Sequence, residues 1–371
     1  MRLQLLSQLP PKSAPRIDRL LIVRLGAMGD IIHTLPAATA LRQAFPLTRI
    51  GWVVEERWQE LLCSPQATNS GPRSSSRPLV DELHVVNTKA WRSSMSSAQT
   101  WKQISSALRE VRRNRYEVAV DFQGAARSAL IARWSGADTI FGSAAPRENV
   151  ASMFYSRQVM PRGQHVVEQS MSLAEAVTNG KLAIPNLEFP HDPSAEEQCE
   201  HRLLEHGMEQ FVLLNPGAGW GAKQWPAERY GEVAHRLAEW GYGSLVNFGP
   251  GEGVLARAVE ATSEGAAEGI SCSLSLLIAL TRRARLFIGG DTGPMHLAAA
   301  LGVPIVGLFG PTNPARNGPF GTRTVVLRSE SSVTSHSRRK DPERGLLEIT
   351  PDQVLVAAKQ LLGTPRHANL V

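Results

Sequence analysis

The chain has 371 residues, about twice the usual size of one domain, which predicts two domains. Apolar residues make up 42% and charged residues 20%, an ordinary soluble globular balance that excludes a fibrous or mainly disordered chain. The formal net charge is +6, but residues 1–190 carry 23 Lys+Arg against 15 Asp+Glu (+8), and residues 191–371 carry 17 against 19 (−2).

No apolar run reaches the roughly 18 residues of a membrane span; the richest, Leu297–Gly310, is broken by Gly302 and Pro304. The N-terminus has no long apolar stretch, so a secretory signal is not expected. Cys63, Cys199 and Cys272 lie far apart and form neither a zinc pattern nor a disulfide framework, which suits a reducing cytoplasm. A basic first half suggests an anionic partner: nucleic acid, a phosphorylated substrate or an anionic membrane surface. A solvated positive face is the plainer alternative.

Residues 1–15 read as a disordered tail. Strands are then predicted at Arg19–Leu25, Arg49–Val54, Glu82–Asn87, Glu117–Asp121 and Asp138–Gly142, with helices over 30–44, 97–113 and 124–134. Pro65–Pro78, rich in Ser, Pro and Gly, reads as a flexible surface insertion. Ile184–Ser194 contains Pro185, Pro190 and Pro193 and reads as a linker. A second series follows, with strands at Phe211–Asn215, Ser244–Phe248, Arg285–Gly289 and Pro304–Phe309, and helices over 226–240, 272–283 and 293–301. Ser329–Gly345 reads as a mobile polar loop and Pro351–Leu362 as a closing helix capped by Thr350. The expected organisation is an N-terminal domain over 16–183, a linker over 184–194, a C-terminal domain over 195–345, and a closing helix and tail over 346–371. Strands alternating with helices, without repeats at solenoid periods, predict two doubly wound α/β halves with ligands beyond the carboxyl ends of the strands.

Three strand ends carry candidate chemistry. The first strand runs into Gly26-Ala27-Met28-Gly29-Asp30 and a helix. Glycines admit a close backbone approach and the helix tip favours negative charge. This is an incomplete dinucleotide fingerprint, since Arg24 stands at the first glycine position, although Glu55 could serve as a ribose-binding acid. Asp30 is either a helix-tip acid or a carboxylate able to take a proton from a substrate hydroxyl. His33, one turn on, is either structural or a participant. In the second half, Gly290-Asp291-Thr292-Gly293-Pro294-Met295-His296 follows a strand and opens a helix, a constellation suited to phosphate oxygens and unlike an NTPase loop, since no lysine follows. Asn215 to Pro226 (NPGAGWGAKQWP) is a glycine-rich loop in which Lys223 offers a compact positive charge to a diphosphate.

These segments resemble the heptosyltransferases of lipopolysaccharide core assembly, in glycosyltransferase family 9 with the GT-B fold. The resemblance covers about residues 19–362 and is carried by RLGAMGDIIHTLP (24–36), GAKQWP (221–226) and GGDTGPMHLAAALG (289–302). Trp52–Glu56, Asp121–Gly124, Arg147-Glu148 ahead of Phe154-Tyr155, and His165–Glu168 resemble the members that add the first heptose to Kdo-lipid A. The resemblance implies an inverting transfer from ADP-heptose, with Asp30 as base and Lys223 at the leaving diphosphate. It places Gly217, Lys223, Asp291, Thr292, Gly293 and His296 at the donor, and Gly29, Lys89, Arg92 and Arg147 at the acceptor. No cofactor is implied and no metal-ligand cluster is read. The enzyme would be cytoplasmic and peripheral on the inner membrane face. Alternatives are another family 9 transferase, such as one adding the second heptose, an NAD-dependent oxidoreductase, or a non-catalytic nucleotide-sugar binder. A nucleic-acid partner is not expected, because no such motif occurs and the basic residues lack interleaved aromatics.

Overall fold

The structure is a computed structural model describing residues 16–335, 337 and 339–363. The tail expected over 1–15 and the last eight residues lie outside the described residues.

The first half runs β1 (Arg19–Val23), α1 (Met28–Ala44), β2 (Arg49–Glu55), β3 (Glu82–Val86), α2 (Thr88–Ser93), α3 (Ala98–Arg113), β4 (Val118–Asp121), α4 (Ala126–Trp134), β5 (Thr139–Ser143), β6 (Arg157–Val159) and α5 (Val166–Thr178). The second runs α6 (Pro193–Glu205), β7 (Phe211–Asn215), α7 (Ala227–Glu239), β8 (Gly243–Asn247), α8 (Gly253–Thr262), β9 (Ala267–Ile270), α9 (Leu274–Arg283), β10 (Leu286–Gly290), α10 (Gly293–Ala300), β11 (Ile305–Leu308), α11 (Pro314–Asn317), β12 (Thr324–Leu327), α12 (Arg344–Leu347) and α13 (Pro351–Leu362).

Each half forms one six-stranded parallel sheet, ordered β3-β2-β1-β4-β5-β6 and β12-β11-β10-β7-β8-β9. Read from the other edge, the second order repeats the first, so both halves are doubly wound units with a topological switch at their centre. β1 and β10, whose carboxyl ends carry the two glycine turns, are central strands. Their apolar side chains are fully buried because helices cover both faces. No helix among the described residues is long and apolar enough to cross a membrane.

Three strands escape the sequence reading: β6, β9 and β12. All three are sheet edges, short and partly exposed, so they lack the continuous apolar run that marks a buried parallel strand. Two loops also correct the expectation. The stretch 65–78 is tied down by the buried Arg77, whose guanidinium donates to the carbonyls of Val80 (3.1 Å), Gly71 (2.6 Å), Pro72 (3.1 Å) and Thr68. The stretch 329–345 folds onto the Lys223 loop: Ala222 N donates to Arg339 O (3.1 Å) and Glu343 N to Ala222 O (3.1 Å). The Glu343 carboxylate accepts from Ser332 Oγ and Leu346 N.

Candidate active site

The β10–α10 turn builds the first wall. Lys223 Nζ donates to Asp291 Oδ2 at 2.6 Å and to Asp291 O at 3.1 Å, and lies 4.3 Å from the Trp220 ring centre. The other Asp291 oxygen pairs with His296 Nε2 at 3.1 Å. Burial opposes ionisation of Asp291. The His296 hydrogen bond and the Lys223 ammonium overcome it and hold the carboxyl well below its usual range. Thr292 is the N-cap of α10 in extended conformation, but its Oγ1 donates back to Gly290 O (3.2 Å) and does not cap the helix. The amides of Gly293 and Met295 are therefore left for an anion, with Pro294 between them carrying no N–H.

The β1–α1 turn builds the opposite wall. Asp30 is the third helical residue. Its Oδ1 pairs with Arg24 NH2 at 2.8 Å and its Oδ2 accepts from Ala27 N at 3.1 Å. Arg24 also donates to Phe122 O. Arg24, read in the sequence only as a misfit for a dinucleotide fingerprint, is thus the partner that orients Asp30. The Asp121–Gly124 segment fixes this turn from behind. Asp121, fully buried, accepts from Tyr155 Oη (2.7 Å), Ser128 Oγ (2.9 Å) and Gln123 N (2.9 Å), and Gln123 Oε1 accepts from Leu25 N (2.8 Å). Burial pushes the Asp121 carboxyl up against these hydrogen bonds.

The two helix tips meet. A Cβ on Gly29 would lie 2.6 Å from His296 Cδ2, and one on Gly293 would lie 2.6 Å from Met28 Sδ. Glycine at both positions is what lets the N-termini approach so closely. Behind them the His33 and His296 rings lie with centres 4.1 Å apart, tilted 60° to one another, and His165 meets His33 edge-on at 5.4 Å. His165 caps α5, accepting from Val167 N, while its Nε2 bonds Gly318 O of the other half at 3.0 Å. Burial, then the neighbouring imidazoles, push His33 well below its ordinary value. His33 is thus placed as a member of the seam, and His165 joins it.

Of the expected acceptor residues, Gly29 lies where the tips meet, and Lys89, Arg92 and Arg147 lie on the surface of the first half. Lys89 and Arg92 are exposed on α2, which follows the carboxyl end of β3. Buried Glu55 anchors α2 by accepting from Thr88 N (3.2 Å) and Thr88 Oγ1, and Arg127 donates to the same hydroxyl at 3.0 Å. Glu55 is therefore consumed internally, which removes the ribose acid that the oxidoreductase alternative needs. Arg147 is exposed beside Gly124, whose carbonyl takes Glu148 N (2.9 Å). Gly217 lies against the Glu252 carboxylate, which accepts from Gly249 N at 2.8 Å. Glu252 was missed. It follows β8, the second strand of its unit, the position from which an acid reaches a ribose in doubly wound folds.

The model of glycosyltransferase family 9 (heptosyltransferase) matches residues 104–347. The lipopolysaccharide heptosyltransferase 1 of Pseudomonas aeruginosa is 32% identical over 320 residues, covering 84% of each chain, and that of Escherichia coli K12 is 27% identical, covering 84% of this chain and 93% of its own. Among solved structures, E. coli heptosyltransferase WaaC with ADP superposes with a TM-score of 0.73 at 26% identity, covering 92% of this chain and 99% of its own. The same enzyme with ADP-2-deoxy-2-fluoro heptose gives 0.71 at 25% identity, with the same coverage. Two parallel doubly wound sheets, a glycine-rich helix tip with its lysine, and these likenesses agree: the chain belongs to glycosyltransferase family 9, the heptosyltransferases, and is a glycosyltransferase of the GT-B fold.

Proposed function

We propose that this enzyme transfers L-glycero-D-manno-heptose from ADP-heptose to a Kdo hydroxyl of Kdo-lipid A in assembly of the lipopolysaccharide inner core. The observation that carries the reading is the Lys223–Asp291–His296 chain at the tip of α10, met across the seam by the tip of α1 with Asp30. Relatives named lipopolysaccharide heptosyltransferase 1, and a related structure holding ADP or a fluoro-heptose analogue, support the donor and the acceptor.

In this reaction Asp30 takes the proton of the acceptor hydroxyl. The oxygen forms its bond to the anomeric carbon on the face opposite ADP, and the bond from that carbon to the β-phosphate oxygen breaks. The sugar inverts and ADP leaves. Lys223 has committed two of its three N–H bonds to Asp291, and the remaining one, beside the Trp220 ring, serves the leaving phosphate together with the Gly293 and Met295 amides. Thr292 and His296 frame that anion, and Gly217 and Glu252 the nucleoside. Lys89, Arg92 and Arg147 bind carboxylates and phosphates of the acceptor, which Gly29 admits beside Asp30. The enzyme works on the inner face of the cytoplasmic membrane, where the lipid-linked acceptor lies.

Incubation with ADP-heptose and Kdo-lipid A, read by product mass, is expected to show one added heptose. Transfer only to a core that already carries heptose would assign the enzyme to the second step. Nicotinamide turnover in place of transfer would overturn the proposal.

A further inference from the structure

On the first sheet, the face opposite α1 and α5 is covered by α3, α4 and the short helical turn 149–154, packed around a shared core that includes Val111, Ala129, Ile131 and Ala151. The outside of this layer is unusual. α3 buries only Thr100 and Val111, and its outer stripe is Trp101, Ser105, Arg109 and Arg112. α4 turns Arg127, Leu130, Arg133 and Trp134 outward. Trp101 is 54% exposed and Trp134 53% exposed, and Val150 and Met153 continue the exposed apolar surface on the neighbouring turn. The Trp101 indole N–H donates to Met95 O (2.9 Å), which holds the ring upright against the loop before α3, where Met95 is itself exposed.

Positive charge runs from the acceptor rim on α2 into this layer, where α3 carries Lys102, Arg109, Arg112 and Arg113 against Glu110. Between Thr88 and Arg115 stand seven basic residues and one acid, a balance of +6 that equals the net charge of the whole chain. The single acid, Glu110, lies 3.2 Å from His84 Nδ1. α4 adds Arg127 and Arg133 with no acid. In the sequence each indole has a basic neighbour, Lys102 beside Trp101 and Arg133 beside Trp134, and the fold gathers the two pairs into one layer by laying α3 beside α4. Two such faces would repel one another, which disfavours a second copy of this chain as the partner. Indoles with flanking guanidinium groups on long apolar stems match the interfacial zone of a bilayer with an anionic surface.

We propose that the α3–α4 face is a membrane-docking surface, in which Trp101 and Trp134 enter the headgroup region of an anionic bilayer while Lys102, Arg109, Arg112 and Arg133 bind its lipid phosphates. The inference rests on the proposed lipid-linked acceptor for its purpose. It also amends a purely electrostatic attachment, because the aromatic contacts persist in salt. The surface adjoins the acceptor rim, since α2 with Lys89 and Arg92 immediately precedes α3.

The test uses the full chain and vesicles without acceptor, of phosphatidylglycerol with phosphatidylcholine or of phosphatidylcholine alone. Sedimentation is expected to show binding to the anionic vesicles only, with a residue of binding at about 0.5 M sodium chloride. The double variant Trp101→Ser, Trp134→Ser is expected to bind about tenfold more weakly. It should transfer heptose to a deacylated, water-soluble acceptor at the wild-type rate. No binding, equal binding to neutral vesicles, complete release by salt, unchanged binding by the double variant, or capture of single-stranded nucleic acid in place of vesicles would each overturn the docking surface. Failure of the wild type on the soluble acceptor would instead overturn the proposed reaction, leaving the vesicle result to judge the surface by itself.

Discussion

The same strand–turn–helix unit stands at the centre of both sheets, and each carries an aspartate at its turn in opposite surroundings. Asp30 is 43% accessible at its side chain, with one cationic partner, Arg24. Asp291 is 8% accessible, with two partners, Lys223 and His296. A buried carboxylate held by two donors is fixed in its ionised form and serves as scaffold. An open carboxylate with one cationic partner and one backbone amide keeps lone pairs for a ligand. The difference in burial, more than any difference in the motif, separates the proposed base from the residue that holds Lys223, the proposed phosphate-binding lysine, in place.

Substitution at the two aspartates breaks or sharpens this contrast. Asp30→Asn keeps the shape and removes the base. Its kcat is expected to fall about 10³-fold, while calorimetry finds ADP affinity unchanged and the melting temperature barely moves, because a half-exposed ion pair contributes at most about 1 kcal/mol. A rate near that of the wild type would remove Asp30 from the chemistry. Lys223→Ala is expected to lower kcat about 10²-fold and weaken ADP binding. Asp291→Asn is expected to destabilise the fold by about 3 kcal/mol in denaturant titration, since it strands a buried ammonium. If Asp291→Asn melted like the wild type while Asp30→Asn did not, the two roles would have to be exchanged.

How much of this was legible depends on where the signal lay. The central strands announce themselves by apolar runs such as RLLIV and FVLLN, so the fold could be read, and glycine and proline at the helix tips single out residues 30, 223 and 291–296 as candidates. β6, β9 and β12 could not, since an edge strand needs apolar residues on only part of its surface. The partners were also hidden. Arg24 precedes Asp30 by six residues and pairs with it only because the turn doubles back. His165 reaches Gly318 across 153 positions of chain. Glu252 carried a positional signal, an acid after the second strand of its unit, which the first half imitated with Glu55.

The histidine seam allows a gentler test by acid. His33 is buried among His296, His165, Asp291 and Arg24, and burial followed by the two imidazoles pushes it below its ordinary value of 6.5. His165, also depressed by burial, acts in the same direction. A lowered folded value means that the unfolded chain binds more protons below pH 6.5, so stability rises with pH there. The expected melting temperature is level from pH 8 to about 6.5 and declines below it. Asp291 has the opposite linkage to burial alone: its depressed value adds stability that is lost only as pH falls below 3.8, outside this window. His33→Gln should flatten the decline between pH 6.5 and 5. An unchanged slope would place the acid sensitivity elsewhere.

The smallest expected effect concerns divalent ions. Charge growing on a departing diphosphate must be met by something, and many transferases use a metal for it. Here the candidates are the Lys223 ammonium, held by Asp291, and the converging positive ends of α1 and α10. If these suffice, initial rates in excess EDTA match those in magnesium, and Lys223→Ala stays slow whether or not magnesium is added. If EDTA stops turnover and magnesium restores it, the buried pair is only a scaffold, and the contrast between the two aspartates loses its catalytic meaning on the donor side.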